Sequence, residues 1–143
     1  MASDGDIQAN IMGLKPLQER LARMNLRGQN LRVPFKVAGK LMVSSVQRNF
    51  QVGGRPRKWK PSIRALLEGN RTLVKSGALE KSTNFEAEHD RLRLRSNLKY
   101  AKVHQFGSAK RNIPKRPFIV FQREDRQDIL KILDSYIMRG RTR

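Results

Sequence analysis

Three groups of residues carry side chains capable of chemistry. Glu86, Glu88 and Asp90 alternate along one stretch with His89 among them, so on a strand the carboxylates share a face. Clustered carboxylates beside an imidazole are the makings of a divalent-metal or acid–base centre. The same stretch supplies the counter-argument. If His89-Asp90 is a two-residue turn, antiparallel pairing sets Glu88 opposite Arg91, Glu86 opposite Arg93 and Asn84 opposite Arg95, so the acids read as one side of a salt ladder. With 2 His and 0 Cys in the chain, a closed zinc site is disfavoured. His104 has the chemistry of a general base, yet no Ser, Cys or Asp is spaced to act with it as a nucleophile. It reads instead as a helical His packed beside Tyr100 and hydrogen-bonded. Gly53-Gly54 hints at a phosphate loop but lacks the Gly-Lys-Ser/Thr ending and the helix in register. The expectation is a protein without enzymatic activity, cofactor or metal.

The basic residues are more telling. There are 31 Lys and Arg against 12 Asp and Glu, a formal net charge of +19, which favours acidic partners such as nucleic acid or acidic protein surfaces. The densest clusters are Arg55, Arg57, Lys58, Lys60 and Lys110, Arg111, Lys115, Arg116, both in segments that read as loops, where they suit contact with a partner protein or with DNA phosphates. Aromatic residues make up only 6% and no base-reading motif is visible, which disfavours sequence-specific recognition. The absence of Cys removes disulfide and thiolate chemistry. Met1 to Asp6 carries two acids and no apolar run, so no export signal is expected, and no apolar run approaches membrane-spanning length.

The elements that must position these groups follow from periodicity. Ile7, Ile11, Leu14, Leu17, Leu21 and Met24 recur at helical spacing around Gly13 and Pro16, which predicts a helix starting near Pro16. Phe35, Ala38, Met42 and Val46 predict a second helix from Pro34 to Phe50. Residues 51–61 read as a loop whose only large apolar group is Trp59. Short helices are expected over Ser62 to Leu67 and over Ser76 to Lys81, the latter with Ser76 as N-cap. Residues 83–96 alternate as a hairpin, with Phe85, Ala87, Leu92 and Leu94 on the core face. Ile129, Ile132, Leu133, Tyr136 and Ile137 predict a helix from Arg123 to about Met138, with acids at its start and arginines past its end.

Between hairpin and last helix lies the most distinctive stretch. Tyr100, Val103 and Phe106 stand at helical spacing, Gly107 ends the turn, and a basic loop leads through Ile113-Pro114 and Arg116-Pro117 into an expected apolar strand, Phe118 to Phe121. Together with Phe50, Gly54-Arg55-Pro56, Trp59-Lys60-Pro61, Leu73 to Leu79 around Gly77, and Ser82, this stretch resembles the phage virion morphogenesis family, the tail completion proteins of contractile and long-tailed bacteriophages. The resemblance covers roughly residues 40 to 137. Its signature positions are Trp59, Gly77, Tyr100, His104, Phe106, Gly107, Arg116, Pro117 and Phe118, read as structural.

The expected fold is α+β: N-terminal helices, a small antiparallel sheet with a central hairpin, and a C-terminal helix packed on the sheet. The expected organisation is a single domain, with residues 1–33 a helical segment, 34–138 the family-like core and 139–143 a mobile basic tail. The resemblance implies a ring-forming, non-enzymatic virion protein, assembled in the host cytoplasm. That protein completes the tail at its head-proximal end, joins it to the neck and touches the tail tube, the connector and packaged DNA. Charge alone leaves a rival, a non-specific nucleic-acid-binding protein, and a second, a nuclease, which would need free clustered acids.

Overall fold

The computed structural model describes residues 15–142, so the expectations for Ile7 to Leu14 lie outside it. Pro16 stands in the first turn of α1 (Lys15–Gln29), where its missing N–H costs nothing. The helix runs past Met24 and closes at Asn30, whose side chain accepts from Arg32 N at the start of α2 (Arg32–Val52). No residue of α1 is buried; Leu17, Leu21 and Leu26 face solvent. Its far end is tied down by polar contacts, Arg27 Nη1 donating to Ile137 O (2.9 Å) and Leu31 N to His89 O (2.8 Å).

The organising element is α2. It buries Ala38, Gly39, Met42, Ser45, Val46, Asn49 and Phe50 and ends at Gly53 in the left-handed conformation. Strands β1 (Thr83–Ala87) and β2 (Leu92–Ser96) lie directly on it. Gly39 makes that approach possible, since a Cβ there would come within 2.3 Å of the Phe85 ring. The strand register is the expected one, Asn84↔Arg95, Phe85↔Leu94, Glu86↔Arg93 and Ala87↔Leu92, with His89-Asp90 at the turn. The C-terminal helix α6 (Arg123–Arg139) runs against α2 and α1. It meets the sheet through a cluster in which Leu41, Leu92, Leu94 and Leu133 pack around Ala38, Met42 and Ile129. A second cluster, Val46, Phe50, Trp59, Leu79, Ala101 and Phe118, fills the other end of α2.

Of the short helices α3 (Ile63–Glu68), α4 (Ala78–Lys81) and α5 (Ala101–Phe106), α4 and α5 contribute Leu79 and Ala101 to this second cluster. Ser62 caps α3, accepting from Ala65 N (3.1 Å). Ser76 is not the N-cap of α4: Gly77 is, in the left-handed conformation, with Ser76 Oγ accepting from Ala78 N one step further out. Phe118 to Phe121 is not a strand either, and among the described residues the sheet has two strands. The segment has no regular secondary structure and bends at Ile119, and the backbone polar atoms of Phe118 and Ile119 are satisfied by side-chain amides. Gln105 Oε1 accepts from Phe118 N and Ile119 N (both 3.0 Å), Gln105 Nε2 donates to Ile119 O (2.9 Å), and Asn49 Nδ2 donates to Phe118 O (2.8 Å). These four bonds replace a sheet neighbour. Phe118 is fully buried, as its position demands, whereas Phe121 is exposed with the Arg126 guanidinium 5.6 Å from its ring centre.

Candidate functional site

The signature residues converge. The Phe50 ring meets Trp59 edge-on at 5.5 Å and Phe118 at 5.4 Å, and Trp59 Nε1 donates to Pro117 O (2.9 Å). Arg116 N donates to His104 O and Arg116 Nε to Lys60 O, both 2.8 Å, which fastens the loop after α2 to the loop after α5. Gly107 is required where it stands: its φ is +75° and a Cβ would lie 2.9 Å from Lys115 N. Tyr100 and Phe106 are not core residues. Both are exposed, and Ala101 is the buried residue of α5.

This fastening unites the two basic clusters. A cleft of about 480 Å³ is lined by Lys60, Pro61, Ser62 and Ile63 on one side and Ala109, Asn112, Ile113 and Pro114 on the other, with His104 and Arg116 at its floor. Arg57, Lys58, Lys60, Lys110, Arg111 and Lys115 are exposed around these loops, Lys58 Nζ also donating to Val52 O at the end of α2. The other two cluster members have different surroundings. Arg55 is bound internally: Nε donates to Asn49 Oδ1 (2.8 Å), Nη2 to Ser45 O (2.9 Å) and Oγ (2.7 Å), and Nη1 pairs with Glu124 (3.0 Å). Ser45 Oγ in turn donates to Asp125 Oδ2 (2.7 Å), which also accepts from Gln122 N (3.1 Å) at the start of α6. Arg116 is buried, only 6% exposed, and desolvation holds its pKa below the ordinary arginine value.

His104 packs edge-on against Tyr100 at 5.9 Å, as expected, but its side chain is not held by hydrogen bonds: Nδ1 is buried without a partner among the described residues. Burial, then the charge of Arg116, lower its pKa. The acids of the hairpin are ion-paired, Glu88 straight across with Arg91 as expected and Glu86 not with Arg93. Glu86 takes Arg95 on the diagonal, while Glu88 and Asp90 both engage Arg91 at 3.6 and 3.1 Å. Arg91 and its hydrogen bond lower the pKa of Asp90. Among the described residues no group of three His, Cys, Asp or Glu is placed to hold a metal ion. None of the described helices is long and apolar enough to cross a membrane.

The residues that periodicity did not single out are the polar ones inside apolar stripes. Asn49 and Ser45 sit on the buried face of α2, and Gln105 on the inward side of α5. A polar side chain interrupting an apolar stripe signals a buried hydrogen bond, though it does not name the partner. Ile63, Leu66 and Leu67 of α3 are another case. All are more than two-thirds exposed, so none of the described residues covers their apolar face.

Comparison with known proteins agrees with this picture. Residues 12–138 match the model of the phage virion morphogenesis family, extending the similarity into the N-terminal third. The Mu-like prophage FluMu G protein 2 of Haemophilus influenzae is 36% identical over 125 residues, covering 82% of this chain and 84% of the relative. An uncharacterized protein of Methanocaldococcus jannaschii, MJ0331, is 36% identical over 116 residues, covering 71% and 86%. No solved structure matches significantly. With the family match spanning the aromatic hub, both basic loops and α6, the chain belongs to the phage virion morphogenesis family.

Proposed function

We infer that this protein completes the phage tail at its head-proximal end and joins it to the neck, acting as a homo-oligomeric ring. Membership of a structural and assembly family gives a role in virion morphogenesis and contact with other virion components. The observation that carries the finer reading is the surface at the cleft. Ile63 lines the cleft between the converging basic loops, and with exposed Leu66 and Leu67 at i+3 and i+4 on the same helix it offers an apolar face of the kind that subunit contacts cover. A ring that caps the tail tube ends its growth and offers the connector a new face. The basic loops then meet acidic neighbours rather than line the channel, because each cation gripping a phosphate adds counterion-release affinity, a ring multiplies it, and DNA must slide. Charge complementarity guides docking and orientation.

Particles assembled without this protein should accumulate as filled heads and unjoined tails in electron micrographs; a normal yield of joined, infectious particles would refute the assignment. Changing Arg57, Lys58 and Lys60 together to Glu should impair joining in a salt-sensitive way with the fold intact. Normal joining with lost retention of DNA would place the loops in the channel instead. The rival reading, binding to nucleic acid through charge alone, requires steep salt dependence and no association with particles.

A further inference from the structure

Arg116 is the only buried lysine or arginine among the described residues. Its Nε is satisfied by Lys60 O, but its two terminal nitrogens have no hydrogen-bond or ion-pair partner among the described residues. The side chain separates the 480 Å³ cleft from a second one of about 320 Å³; Ser62, His104 and Arg116 line both. Neither contains an Asp or Glu. The second adds Lys75, Arg64 with its Nη1 already paired with Glu68 (3.1 Å) outside the lining, the hydroxyl-bearing Tyr100 and Ser76, and the apolar Leu73 and Leu79. Beside Arg116, the buried Nδ1 of His104 is also without a partner among the described residues. The side chain as a whole is largely desolvated while its terminal nitrogens open onto the clefts, and a bound oxyanion would satisfy the paired N–H donors of the fork and supply the missing counter-charge.

We propose that the cleft between Arg116, Arg64, Lys75 and Tyr100 is a receptor for a carboxylate carried on an acidic segment of a neighbouring virion protein. A carboxylate on a methylene stem fits both parts of the lining, the stem against Leu73 and Leu79 and the oxygens on the Arg116 fork. Duplex DNA does not fit it. Its phosphates lie on a wide convex rod that reaches surface cations, whereas Arg116 is recessed. Only the source of the carboxylate rests on the proposed role in tail assembly; the site itself is a property of the isolated chain.

The test is a titration of the purified full chain at constant ionic strength with glutarate and, separately, inorganic phosphate, followed by NMR of the Arg116 Nε–H and the His104 ring. The charged and titratable groups around His104 in the two clefts are Arg116, Lys60, Arg64, Lys75 and Tyr100. Glutarate should give saturable shifts confined to this set and raise the His104 midpoint, because the bound anion offsets the Arg116 charge. Arg116→Met should abolish the saturable response, Arg116→Lys should weaken it about tenfold by losing the fork, and Lys110→Gln should leave it intact. Non-saturating shifts spread over residues 110–115, no response, or an unchanged response in both Arg116 variants would overturn the site. Saturation by phosphate without glutarate would overturn the carboxylate assignment. A saturable glutarate response in the parent chain together with normal head–tail joining by Arg116→Met would keep the site and remove its source from the tail.

Discussion

Two arginines in the basic loops, Arg55 and Arg116, are withdrawn from the surface, and they differ in what meets them. Arg55 faces Asn49, Ser45 and Glu124, with the buried carboxylate of Asp125 one hydrogen bond away, so its guanidinium is satisfied on every side. Arg116 faces a carbonyl, a histidine and two clefts without acids. One arginine pins α2 to the start of α6; the other lines two clefts with its terminal donors unpartnered among the described residues. Net charge treats them alike, and only the neighbours tell them apart.

Phe118 is common to both regions, since Asn49 holds its carbonyl on the Arg55 side and Gln105 its N–H on the Arg116 side. Phe118→Ala should therefore have the largest effect, about 3–5 kcal/mol of lost stability, from the cavity left against Phe50 and Trp59. Urea unfolding measures it, and a loss below about 1 kcal/mol would mean the hub relaxes around the gap.

How far the sequence exposes this arrangement varies with the kind of interaction. The helices α2 and α6 and the hairpin register are legible because periods of 3.6 and 2 follow directly from which face is buried. Phe118 to Phe121 is misread as a strand because an apolar run states only that it is buried, and the amides that satisfy it come from Asn49 and Gln105, far along the chain or on another element. The opposite roles of Arg55 and Arg116 are illegible for the same reason. Each lies one residue before a proline in a basic loop, and the partners Glu124 and Lys60 are 69 and 56 residues away.

The comparison sharpens if each arginine is replaced by Met, which keeps bulk and removes charge. Arg55→Met should cost about 2–3 kcal/mol, because Asn49 Oδ1 and Ser45 lose charged donors at buried positions. Arg116→Met should change stability by no more than about 1 kcal/mol, since the lost bond to Lys60 O is offset by removing a buried charge that has no counter-ion. Equal losses in the two variants, measured by the same unfolding midpoints, would break the distinction.

The smallest effect is one of pH. In the folded protein the pKa of His104 lies below its ordinary value of 6.5, first through burial and second through the Arg116 charge. The unfolded chain therefore binds the proton more readily. Stability from this group is complete above about pH 6.5 and falls as pH drops from there through the folded-state pKa, where it levels off. His104→Gln should remove that slope, and Arg116→Met should shrink it without removing it, because burial is the larger cause. Thermal melts between roughly pH 7.5 and 5 in the three proteins supply the check. A slope in Arg116→Met as steep as in the parent would show that the guanidinium charge does not reach the ring, and the contrast with Arg55 would then rest on hydrogen bonding alone.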